Sequence, residues 1–236
     1  MYYNYGYSMS YVIGYLFVFI GFVITLGAQI LVNSSYSKYK KVNNNNGISG
    51  RDAARKILDD NGLNNIDIVE TRGNLTDHYD PSRKIIRLST DIYNGTSIAS
   101  VAVAAHECGH AIQDKEGYKP LKIRSSIVPV VNLCNRLGYF VIFLGLILGY
   151  FNLAIFGLIL MSAILIFQLV TLPVEFNASN RAKKQIDKLN IIEKEEQNGV
   201  SNMLTAAAMT YVASVINTIL QLLRMLLIIL DRDRRE

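Results

Sequence analysis

Residues 1–37 carry no charged side chain at all. So complete an absence excludes an ordinary solvated segment. Residues 11–32 (YVIGYLFVFIGFVITLGAQILV) are long enough to cross a hydrocarbon core of about 30 Å at about 1.5 Å per residue. Also missing are a basic n-region and a small-residue cleavage site, so a retained anchor is expected rather than a removable signal peptide. Cysteine is scarce: Cys108 and Cys134 are the two in the chain. One lies in an apolar helical stretch and the other beside a candidate span, which argues against a disulfide framework. No internal repeat is present. Acidic residues number 19 against 24 basic ones, for a net charge of +5, and half of all residues are hydrophobic. A basic excess can signal nucleic acid, but membrane proteins collect Lys and Arg in their cytoplasmic segments. The excess is therefore read as topology, with a lipid bilayer and no nucleic acid as partner.

Lys38, Lys40 and Lys41 follow the first span directly, which by the positive-inside rule puts the N-terminus outside and the following segment in the cytoplasm. From there the pattern is that of a small α+β unit. The polar run at residues 43–47 (NNNNG) precedes Ser49, a cap for a helix over 50–60 that Gly62 ends. Residues 66–70, 74–79 and 84–89 read as short strands, the last two pairing around Asp80-Pro81-Ser82. Thr96 or Ser97 can cap the next helix, running to about Gln113 and apolar enough to be buried.

Residues 137–174 are again free of charge, and one helix of that length would extend about 57 Å, too long for a single crossing. A hairpin turning near Tyr150-Phe151-Asn152 is expected, its first arm extending back through Arg136 towards Ile127. Basic residues before it (Lys115, Lys119, Lys122, Arg124) and after it (Arg181, Lys183, Lys184) put both ends in the cytoplasm. In residues 203–230, Thr210, Ser214, Asn217, Gln221 and Arg224 fall at intervals of three and four, forming one polar stripe. Such a helix is expected to lie at the cytoplasmic interface or to pack its stripe against the protein, although residues 197–223 are charge-free and could also span.

The chemistry concentrates in His106-Glu107-Cys108-Gly109-His110. Residues four apart share a helix face, so His106 and His110 can offer two imidazoles to one zinc ion, with Glu107 beside them as general base. A catalytic zinc commonly has three protein ligands and an open position. The third cannot be a later histidine, because position 113 is Gln113 and none follows His110. Glu116 lies past the expected helix end. Glu175, just after Pro173 at the end of the hairpin, is the better candidate, and its alternative role is a charge marking the membrane boundary. His78, on a strand in TDHYDP, is the alternative ligand, or else a group that binds substrate or the transition-state oxyanion, or a structural polar residue. Cys108 is rotated by about 100° from Glu107 and about 200° from His106, so it reads as a packing residue, and Gly109 as a point of close approach.

HECGHAIQ, DHYDP and LPVEFNAS together resemble the bacterial neutral zinc metallopeptidase family of membrane proteins, over nearly the whole chain. That family is similar in layout to the heat-shock membrane proteases and the CAAX prenyl proteases, in which a Glu after a membrane hairpin completes the zinc site. The resemblance implies His106, His110 and Glu175 as zinc ligands and Glu107 as base. It also implies that the DHYDP strand edges the active site and can receive an extended substrate. Those relatives carry an acid four residues after the ligand Glu; here that position is Ser179, with Asn177 and Ser179 as the substitutes that could orient a ligand His.

The expected architecture is an α+β membrane protein, mostly helical, with a β-hairpin or three-stranded sheet beside a zincin-like HExxH helix. It divides into an N-terminal anchor (1–37), a cytoplasmic zincin-like part (38–126), a transmembrane hairpin (127–174), and a third-ligand helix with a C-terminal amphipathic helix (175–236). The expected function is that of a membrane-bound, zinc-dependent endopeptidase acting on polypeptides from the cytoplasmic side of the bacterial cell membrane, its oligomeric state left open. The rival is a non-catalytic membrane protein whose zinc serves structure or partner binding. Such a site would have no need of Glu107.

Overall fold

The computed structural model describes residues 9–73 and 76–233. The N-terminal eight residues, Asn74 and Leu75 of the expected second strand, and the last three residues of DRDRRE lie outside that set. Among the described residues, eight α-helices and one three-stranded sheet make up the α+β membrane architecture expected from the sequence. They fall into two compact units.

One unit is built from Gln29–Lys122 and Leu172–Thr210. Its first complete helix, α2 (Gly50–Asp60; α1 is Met9–Tyr39), starts where Ser49 Oγ accepts the Asp52 amide at 3.1 Å, and stops where Gly62 takes φ +63°. Its inner face, Ala53, Ala54, Ile57 and Leu58, is fully buried. Strands β1 (Asp67–Thr71), β2 (His78–Asp80) and β3 (Ile85–Ser89) are ordered β1-β3-β2, with β1 parallel and β2 antiparallel to β3. The hairpin is the expected one, its turn held by Asp80, whose carboxylate accepts the amides of Ser82 and Arg83. The parallel β1–β3 pairing was not anticipated. A short α3 (Thr90–Asn94) leads to α4 (Ile98–Lys115), capped by Ser97 and carrying HECGH. Small side chains let α4 run through the middle of the core: Ala99, Val101, Ala102, Ala104, Ala105 and Cys108 are all fully buried.

The other unit falls within Met1–Ala28, Ile123–Thr171 and Tyr211–Glu236. Helix α5 (Lys119–Leu148) turns back at Gly149, φ +71°, into α6 (Phe151–Met161), which continues after Ser162 as α7 (Ala163–Lys188). The two arms touch through small residues: a Cβ on Gly145 would lie 2.5 Å from the Ala154 amide nitrogen, and one on Gly157 2.7 Å from that of Ile142. Backbone contact of this kind replaces the hydrophobic effect where lipid is the solvent.

Helices α1, α5, α6–α7 and α8 (Gln197–Asp233) are each long and apolar enough to cross a membrane. The C-terminal segment is thus one continuous helix of spanning length. Two residues of its polar stripe pack against α1: Asn217 fills the space over Gly21, and Arg224 Cγ sits 3.3 Å from where a Gly14 Cβ would be. Replacing Ser49 with Ala should lower the thermal midpoint by a few degrees, on the order of 1 kcal/mol, since it removes the α2 cap. An unchanged melting curve would show that the cap contributes nothing.

Candidate metal centre

Helical geometry places His106 and His110 one turn apart on α4, with ring centroids 4.8 Å apart and planes nearly perpendicular. Glu175 comes to them from α7. Its Oε2 lies 3.3 Å from His106 Nε2 and 3.6 Å from His110 Nε2, and one donor atom from each of the three residues falls within 4.8 Å of the others. The approach depends on Gly109. A Cβ there would run into the Ala178 carbonyl, so the backbones of α4 and α7 touch at this point. Residue 175 lies about one turn before 178, opposite the two rings.

The site is shielded but open to the imidazoles: the His106 and His110 side chains are 17% and 12% exposed, that of Glu175 only 4%. Both Nδ1 atoms have partners, His106 with Ser179 Oγ at 3.2 Å and His110 with Gln113 Oε1 at 3.0 Å. Two Nε2 atoms and a buried carboxylate therefore converge, a donor set that fits zinc. Burial disfavours charge on His110, but the hydrogen bond to Glu175, helped by the Glu107 charge, wins and raises its pKa above the ordinary imidazole range.

Glu107 is buried beside the pair, and its Oε2 accepts the backbone N–H of Tyr79 at 2.9 Å. That amide points away from β3, so the outer edge of β2 faces the helix. The Tyr79 hydroxyl donates to Asp114 Oδ2 at 2.8 Å, and Lys84 Nζ reaches the same oxygen at 2.6 Å. Burial and the Asp114 contact push the Tyr79 phenol well up. Asp77, just before β2, accepts the Ser89 amide at 2.7 Å, and burial raises its pKa against those hydrogen bonds.

His78 is exposed on β2, with Nδ1 2.8 Å from the Thr76 carbonyl; it is not part of the three-residue group. Glu116 caps the end of α4 and pairs with Arg181 at 2.7 Å, also outside the group. Cys108 points into the core towards the Ala54 carbonyl, with its thiol pKa pushed far up by burial, as suits packing rather than nucleophilic attack. Sequence reasoning missed Tyr79 and Gln113. The second was detectable in principle, because it lies three residues after His110 and so shares its helix face.

The family model described as "Putative neutral zinc metallopeptidase" matches residues 14–230. The chain belongs to that family. It is also 45% identical over 219 residues to "Putative membrane protease YugP" of Bacillus subtilis (strain 168), a match covering 92% of this chain and 97% of that protein. No solved structure matches. Membership gives a coarse class, that of the family's zinc metallopeptidase description, and the converging histidines and glutamate are a group that could hold a metal ion.

The contact at Gly109 makes a specific demand. Gly109→Ala should destabilise the protein by about 1–3 kcal/mol through overpacking and disturb any metal binding at the three-residue group in parallel, because α7 must retreat with Glu175. Thermal melting and chelator competition would measure the two effects; normal values for both would show that the close approach is dispensable.

Proposed function

We propose that the protein is a membrane-bound, zinc-dependent endopeptidase, with His106, His110 and Glu175 as the metal ligands and Glu107 as the general base. The observation that carries the reading is the convergence of the two Nε2 atoms on the buried Glu175 carboxylate, with Glu107 adjacent. Zinc in such a site supplies Lewis acidity, polarising the scissile carbonyl and acidifying water. Glu107 takes the proton of the attacking water and returns it to the leaving amine. The Tyr79 amide, bonded to Oε2, fixes the rotation of that carboxylate. Since β2 is an edge of the sheet and its outer side faces Glu107, an extended polypeptide can pass alongside it and donate to the Tyr79 carbonyl, the Tyr79 amide staying on Glu107. His78, exposed on the same strand, then meets substrate or the developing oxyanion rather than metal.

The basic residues flanking the spans support placing residues 38–126 and the Glu175 segment on the cytoplasmic side of a bacterial cell membrane, where membrane-associated or misfolded polypeptides would be the substrates. A reporter inserted at residues 43–47 should read as cytoplasmic; an external reading would overturn this orientation.

Zinc content and peptide cleavage of wild type, Glu107→Gln and Glu175→Ala test the enzyme reading. Glu107→Gln should keep zinc and lose about 10²–10⁴-fold in rate, while Glu175→Ala should lose the metal. Equal activity in Glu107→Gln, or zinc-loaded wild type that cleaves nothing, would instead favour a structural metal. Full zinc retention in Glu175→Ala would move the third ligand elsewhere.

A further inference from the structure

Resting on the zinc reading above, we propose that Gln113 is a positioning residue of the metal centre: it holds the His110 ring in the tautomer and orientation that present Nε2 to the metal. Gln113 is completely buried, and its Nε2 donates to the Val174 carbonyl at 2.8 Å and to Asn177 Oδ1 at 2.9 Å. A backbone carbonyl can only accept, so the amide must turn its NH₂ towards Val174 and its oxygen towards His110. That oxygen can also only accept, so His110 Nδ1 carries the hydrogen, and in the neutral ring Nε2 keeps its lone pair.

The orientation is secured from the surface inwards. Asn177 Oδ1 accepts Arg181 Nε at 2.7 Å, which prevents the Asn177 amide from turning its NH₂ towards Gln113, and Arg181 is in turn paired with Glu116 at 2.7 Å. The chain of contacts therefore runs from Glu116 through Arg181, Asn177 and Gln113 to His110. His106 is met differently, its Nδ1 lying 3.2 Å from the Ser179 hydroxyl.

An amide suits this place better than an acid. Glu175 and Glu107 already put two carboxylates beside the rings, and a third ionised one at a fully buried position would carry a large desolvation cost. Gln113 supplies the acceptor that the ring requires without adding charge.

The test uses the full chain in detergent, with zinc and cobalt(II) as probes. Gln113→Met, similar in length but without the amide, should weaken zinc about 10–100-fold in chelator competition, and should also lower the metal-free melting temperature because the buried Val174 carbonyl and Asn177 Oδ1 lose a donor. In the cobalt-loaded wild type, proton NMR should show hyperfine-shifted, exchange-protected imidazole N–H signals for both histidines, and that of His110 should be lost to solvent exchange in Gln113→Met. Unaltered zinc affinity in Gln113→Met would overturn the proposal, as would an unprotected His110 N–H in wild type, a result that needs no variant to fold. Wild type that binds neither metal would instead refute the zinc reading on which the proposal rests.

Discussion

Everything at the candidate metal centre depends on how closely α4 and α7 approach at Gly109. A helix can place two histidines on one face by itself, but it cannot supply a third donor in front of them, because its own side chains diverge from that face. The third must come from another element held near enough for a short carboxylate to reach both rings. The missing Cβ at Gly109 lets the Ala178 carbonyl occupy the space a side chain would need, and Glu175 is then delivered at 3.3 and 3.6 Å from the two Nε2 atoms. Glycine in mid-helix costs roughly 1 kcal/mol relative to alanine, and here the cost has a counterpart in a contact no other residue would permit.

The same packing creates an electrostatic problem. Bringing α7 onto α4 buries polar groups of both, and buried polar atoms are costly unless paired. The solution is reciprocal. Gln113 on α4 satisfies the Val174 carbonyl and Asn177 on α7, and Ser179 on α7 meets His106 on α4. On the opposite side, Glu107 accepts the Tyr79 amide, so one buried carboxylate ties the helix to the edge strand. Glu107 is thereby held between the sheet and the face that carries the two histidines, which gives β2 a role beyond its three residues.

What was legible in the sequence follows from what is local. The spacing of His106 and His110, the Ser49 and Ser97 caps and the turn at Asp80 are each decided within a few residues, and each occurs as expected. Glu175 could be placed near the histidines only through the hairpin that returns α7, and Gln113 acquires its partners from residues 61 and 64 positions away. No period in the sequence encodes such a contact. The parallel pairing of β1 with β3 is likewise non-local. Thr76 and Asp77 of the expected second strand lie outside the ladder, which begins at His78, and the Asp77 carboxylate instead accepts the Ser89 amide.

The C-terminal helix shows the limit of periodicity in a different way. A polar stripe on an apolar helix leaves two readings open, an interface with headgroups or packing against the protein, and periodicity alone does not choose between them. In the structure the stripe has a protein neighbour of a particular kind, the glycine face of α1, where Gly14 and Gly21 make room for Arg224 and Asn217. Two glycines seven apart lie on one side of a helix, as do Asn217 and Arg224, also seven apart. Polar atoms inside an apolar environment are tolerated when they face another helix rather than lipid. The moment of α8 is thus a signature of helix pairing, and a helix of that length with its polar side so occupied is compatible with crossing the bilayer.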